Sequence, residues 1–248
     1  MVRDGDEVTV EARRMPAGLD DRLQLSERVA AYVREAIMVG DLRAPEYIRT
    51  ERLATQLGVS ATPVREALMI LHSEGAVRWE PRRGYRVLPV SAQDVADLFA
   101  VQAFIAGELA ARASQVLTED EIRRIRLTHD ELEAALAAGE TERVERLNHE
   151  IHRAINRAGG IGRLTSLLNL TVHYVPRNYY GRVEGWAQAS AHDHADIFDA
   201  LGRRDADAAR TAMVEHVEHI GSLLAAHLDR MQAFDRPEGE QASSSTVS

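Results

Sequence analysis

Asn148 and His152 stand four residues apart, the spacing that puts two side chains on one face of a helix, where both can reach one ligand. His194 opens the apolar-periodic run His194-Ala195-Asp196-Ile197-Phe198-Asp199-Ala200-Leu201, and His216 falls on the stripe Ala209, Met213, His216, Ile220, Leu223. Three imidazoles and an amide oxygen on the inner faces of three helices have the donor types of a site for zinc, nickel, manganese or iron. The same spacing also suits core histidines that stay neutral and hydrogen-bonded, so on spacing alone both readings stay open. A catalytic metal centre would need an acid or base beside the metal. Glu150 lies two residues from His152 and points away, and no metallohydrolase motif is present, so the sequence favours a non-enzymatic role.

A second chemistry lies upstream. Between Ala76 and Val90 four arginines, Arg78, Arg82, Arg83 and Arg86, stand against one acid, Glu80, and nucleic-acid phosphates call for such fixed cations. Gly75 to Glu80 and Gly84 to Leu88 alternate like two short strands around Pro81-Arg82-Arg83-Gly84, which predicts a wing with arginines at its tip. Ahead of it, Thr50 to Leu57 has the apolar spacing of a short helix, and Gly58 lets that helix stop and turn. A second helix follows, with Ser60 or Thr62 as its cap, Pro63 in its first turn and Glu66 near the positive end of its dipole. Val64, Ala67, Leu68 and Leu71 make its apolar face. Thr62 and Arg65 are left on the other face, where a recognition helix presents side chains to DNA.

The charge balance separates these two chemistries. The first 90 residues hold 14 arginines and 14 acids, whereas residues 91 to 248 hold 16 arginines and 25 acids, so the whole net charge of −9 sits in the second part. An acidic body repels DNA, which confines nucleic-acid binding to the first part. There is no lysine, and the absence of cysteine excludes disulfides and thiolate metal sites. Neither a signal-peptide stretch nor a membrane span is legible, so the expectation is a soluble cytoplasmic protein with no membrane partner.

From Ser91 onward the pattern is helical. Ser91 with Asp94, and Thr118 with Glu121, have capping-box spacing, and helices are expected over 91–116, 118–138, 141–158, 163–180, 185–202 and 205–233. The expected fold is mainly α: a winged helix-turn-helix over 21–90 and an antiparallel all-α helical bundle over 91–234. Polar segments 1–20 and 235–248 are expected to be disordered.

The residues Gly58 to Leu68, with Leu71, Gly75, Val77 and Gly84, resemble the winged helix-turn-helix of the GntR regulators. The resemblance implies DNA contact by Ser60, Thr62, Arg65, Arg82, Arg83 and Gly84; Ala61 stands where the family usually has arginine, so the base preference does not carry over. Residues from about Asp97 to Val217 resemble the all-helical effector (FCD) domain of the FadR-type subfamily. That likeness implies a divalent metal held by Asn148, His152, His194 and His216, zinc first, with nickel, manganese or iron as alternatives. It also implies that the metal helps to hold a small organic acid as effector. Three positions depart from the family: Asn148 replaces an aspartate, which removes one negative charge, and Gln102 and Ala106 stand where arginine and glutamate are usual. Arg177, in the cluster Arg177-Asn178-Tyr179-Tyr180, is the candidate partner of an effector carboxylate, while His192, His219 and His227 have no assigned role. The expected function is a ligand-responsive repressor that binds a pseudo-palindromic double-stranded DNA operator as a homodimer. The alternative is a metal-sensing or constitutive regulator without an organic effector.

Overall fold

Gly58 makes the break between two successive short helices. It adopts a left-handed conformation (φ 67°), and its amide and that of Val59 turn back onto the carbonyls of Thr55 and Ala54 at 3.3 and 3.0 Å. This turn joins α2 (Thr50–Leu57) to α3 (Ala61–Ser73). Ser60 has the extended backbone of an N-cap, although its side chain makes no capping bond, and Thr62 lies inside the first turn. Val64, Ala67, Leu68 and Leu71 are fully buried against Val29 and Val33 of α1 (Arg22–Met38). Arg34 of α1 also grips Glu74 at the end of α3 through two bonds of 2.8 Å.

Three antiparallel strands complete this unit: β1 (Tyr47–Ile48), β2 (Val77–Glu80) and β3 (Gly84–Val87), in the order β1-β3-β2. Trp79 faces Tyr85 and Glu80 faces Gly84, so the β2–β3 hairpin forms the expected wing. Neither β1 nor α1 is marked in the sequence reading. β1 is only two residues long, and α1 has no acid in its first turn and no base in its last.

The computed structural model describes residues 22–172, 174–175 and 177–234, and side chains are described except at 22–24, 177–178 and 232–234. The segments 1–20 and 235–248, expected to be disordered, lie outside the described residues. The chain divides into two compact units between Val90 and Ser91, with the short segment His173–Tyr179 grouped with the first.

The second unit contains α4 (Ala92–Val116), α5 (Glu119–Ala137), α6 (Thr141–Ala158), α7 (Arg163–Val172), α8 (Trp186–Gly202) and α9 (Ala206–Phe234), together with the part of a 3-10 helix (Arg177–Arg182) from Tyr180 onward. Both capping boxes form: Ser91 and Thr118 accept from the amides of Asp94 and Glu121, whose carboxylates return to the Ser91 and Thr118 amides at 2.8 Å. The helix expected over 163–180 is shorter, because Pro176 lacks an amide hydrogen and its ring would clash with the carbonyl of Val172, where α7 ends. α9 packs along α4 and α8, and its buried residues Ala209, Met213, His216 and Ile220 continue through Leu224 rather than Leu223. No helix among the described residues is long and apolar enough to cross a membrane.

Candidate nucleic-acid interface and metal centre

On the first unit, α3 exposes Ser60, Thr62 and Arg65 around its N-terminus. Arg65 Nη2 lies 3.8 Å from Glu51 Oε1, with 60% and 78% of the two side chains exposed, so this pairing is weak and readily exchanged for a phosphate. At the wing tip Arg82 is exposed at φ 66°. Arg83 donates to Tyr47 Oη at 3.2 Å with its guanidinium over the tyrosine ring, 5.7 Å from the centroid. Tyr47 in turn donates to Glu80 at 2.8 Å. Arg86 lies 3.6 Å from the same carboxylate. Gly84 (φ 100°) closes the hairpin, and a Cβ there would come within 2.5 Å of the Ile48 carbonyl oxygen, so only glycine lets β1 approach.

In the second unit, α6, α8 and α9 bring His152, His194 and His216 together. His152 Nε2 lies 3.1 Å from His216 Nε2 and 3.4 Å from His194 Nε2. His194 and His216 are buried and His152 partly so. Burial, reinforced by His216 and His149, pushes His152 down to about 3. Burial also holds His194 well below the ordinary histidine value, with His152, His216 and His129 adding to it. These rings are therefore neutral at physiological pH, the form that donates a lone pair.

Asp193 fixes one of the tautomers. Its Oδ2 accepts from Nδ1 of His216 at 3.3 Å and of His219 at 2.9 Å. Burial alone would raise the Asp193 carboxyl, but these two bonds hold it below the usual carboxylate range. Donating from Nδ1 to Asp193 leaves Nε2 of His216 facing His152, the carboxylate–histidine arrangement that orients a metal ligand. Converging lone pairs repel unless a proton or a cation lies between them. Asn148, one turn before His152, adds an acceptor: its Oδ1 is buried without a partner. One ligand nitrogen from each of the three rings lies within 4.8 Å of the others, and together with an amide oxygen they are the donor types of a four-coordinate divalent site.

Two more buried atoms lack partners one turn from this cluster, Asn156 Oδ1 on α6 and Ser190 Oγ on α8. Neither residue, nor Asp193, is marked by sequence spacing. Gln102 is buried, and its amide donates to the Thr171 carbonyl at 3.1 Å. Arg177 begins the 3-10 helix, and its side chain lies outside the described residues.

A basic winged helix-turn-helix followed by a helical bundle with a buried donor cluster defines a DNA-binding transcriptional regulator rather than an enzyme. The chain belongs to the gntR family of bacterial regulatory proteins: the model of that family matches residues 25–87, and the FCD domain model matches residues 97–219. It is 28% identical over 187 residues to the Nta operon transcriptional regulator of Aminobacter aminovorans, covering 73% of this chain and 86% of the relative. It is 24% identical over 176 residues to the HTH-type transcriptional repressor RspR of Escherichia coli, covering 70% and 77%. Among solved structures, E. coli McbR/YncC shares the fold at a TM-score of 0.62 and 23% identity, over 84% of this chain and 98% of that one.

Proposed function

We propose that the chain is a homodimeric repressor that binds a pseudo-palindromic operator and answers to a small organic acid through a divalent metal, zinc first. The observation that carries this reading is the convergence of three imidazoles, with an orphaned amide oxygen one turn before His152. His152, His194, His216 and Asn148 would hold the ion, and Asp193 keeps His216 in the donating tautomer. When bound, the metal supplies a Lewis-acidic position for a carboxylate oxygen. The organic effector is supported by Asn156 Oδ1 and Ser190 Oγ, two buried polar atoms whose unmet hydrogen bonds a ligand's polar groups would satisfy. The repressor role is supported by the name of the relative RspR. Ser60, Thr62, Arg65, Arg82 and Arg83 would contact DNA, with Gly84 shaping the wing, and such work belongs in the cytoplasm.

The effector acts by binding one arrangement of the dimer better than the other, which shifts operator affinity by that difference. A second reading, in which the metal itself is the signal, is favoured by one observation: Gln102 is spent on the Thr171 carbonyl and Ala106 is apolar, so neither offers a cation to a carboxylate. A duplex selected from a random library, titrated with zinc-loaded protein in the presence of small hydroxy and keto acids, separates the two. The proposal expects one acid to weaken duplex binding and to raise the melting temperature of the loaded protein. If zinc alone changes duplex binding and no acid does, the second reading stands.

A further inference from the structure

A second cluster lies on α5 beside the three-histidine centre, the His129 ring 5.3 Å from that of His194. His129, Asp130 and Glu133 offer one ligand atom each, all within 4.8 Å of one another. The histidine is held in place: it is only 8% exposed, its ring stands edge-on to Phe198 at 5.1 Å, and its Nε2 donates to the Ala191 carbonyl at 3.0 Å. A backbone carbonyl that takes one ring proton leaves the other nitrogen, Nδ1, as a lone-pair donor of fixed orientation, as in metal-ligating histidines.

The two carboxylates are exposed and three residues apart, where like charges on a helix repel. Among the described residues neither has a hydrogen-bonded or ion-paired partner. Arg126 stands four residues before Asp130 and would be its natural partner. It is committed elsewhere: Nη2 reaches Asp199 at 3.3 Å and the guanidinium lies over Phe198 at 5.7 Å. A buried imidazole with one nitrogen committed to a carbonyl and two carboxylates without partners among the described residues thus lie within reach of one ion.

We propose that α5 carries a second, solvent-facing site for a divalent transition-metal ion, ligated by His129, Asp130 and Glu133. One nitrogen and two carboxylates suit zinc, cobalt, nickel or manganese, and the two negative charges balance the ion. Water completes the coordination on the open side. Binding here is weaker than at a closed four-donor centre, because fewer protein ligands are offered and solvent competes.

Cobalt(II) titration of the untagged, metal-stripped full-length protein, followed by calorimetry and visible absorption, tests the site. The proposal expects two ions per chain in the wild type, one tight and one weaker. In Asp130→Asn/Glu133→Gln the weaker step disappears and the tight step is unchanged. In His152→Ala/His194→Ala the weaker step survives alone. Should the three-histidine centre bind nothing, the wild type would take up one ion, still lost in Asp130→Asn/Glu133→Gln, so the two sites stand or fall separately. His129→Gln keeps both carboxylates and is expected to remove the nitrogen contribution to the cobalt spectrum, which distinguishes ligation from loose attraction of cations to acids. A weaker step that persists in Asp130→Asn/Glu133→Gln, or no step beyond the three-histidine centre, overturns the proposal.

Discussion

The two units treat ionisable side chains in opposite ways. In the winged unit the candidate DNA-contacting arginines Arg65, Arg82 and Arg83 stay exposed to water: Arg65 lies 3.8 Å from Glu51, and Arg83 donates to the Tyr47 hydroxyl. In the helical unit, His152 and His194 are stripped of water until they are neutral, and Asp193 is spent on orienting the rings of His216 and His219. Exposed charge suits a partner that arrives with its own screened phosphates, because little desolvation has to be overcome. Buried neutral nitrogens suit a bare cation, which binds lone pairs and is repelled by protonated rings. Exposed arginines on one unit and buried imidazoles in the other are thus suited to ligands of opposite charge, and burial sets the difference.

Several changes would break or sharpen this contrast. The largest effect is expected from Gly84→Val, which forces a β-branched residue to φ 100° and drives it into the Ile48 carbonyl. A cost on the order of 3 kcal/mol to the winged unit is expected, with duplex binding lost. Metal binding by the helical unit should be unchanged, and a parallel loss of both activities would mean that the units are not separable. Arg65→Ala should weaken duplex binding by about 1–3 kcal/mol and, if Arg65 meets a phosphate, lower the salt slope by about one. Affinity that is unaltered across a range of salt would remove Arg65 from the interface.

The pH response probes the other unit. His152 titrates at about 3 in the folded chain, below its unfolded value of about 6.5, so the unfolded chain binds more protons in between. Stability of the metal-free protein is full above about pH 6.5 and falls as pH drops toward 3, with a limiting slope of about 1.4 kcal/mol per pH unit for each such histidine. Urea unfolding in chelator should show this slope, and His152→Asn should flatten it; equal slopes in both proteins would argue that the ring is solvated. The smallest effect is expected from Asn148→Asp, which restores an anionic oxygen and should tighten metal binding roughly tenfold, about 1.4 kcal/mol. A competition titration against a chromophoric chelator would register it, and unchanged affinity would place residue 148 outside the coordination sphere.

The same contrast explains what could be read from the sequence. The turn at Gly58, the apolar face of α3, the basic hairpin and both capping boxes are local, so each leaves a contiguous pattern. His152, His194 and His216 are legible one at a time from helical periodicity, but their convergence is tertiary and needed a family resemblance to be expected. Asp193 was hidden although it adjoins His194, because its role comes from α9, more than 20 residues away. His129 was hidden for the same reason, its ring being fixed by a carbonyl of α8. β1 was illegible because two residues carry no alternation, and its place is set by the space beside Gly84. The helix expected over 163–180 exceeds α7 because apolar periodicity continues past a proline whose effect falls four residues earlier.

Elemental mass spectrometry of untagged protein purified without chelator, beside His152→Ala/His194→Ala, tests the central claim most directly. A stoichiometric divalent metal, zinc first, is expected in the wild type, lost from the tight centre in the double variant with the helical fold retained. A wild type that carries no metal and melts at the same temperature with or without chelator would contradict it, and the three histidines would then be core residues that share protons.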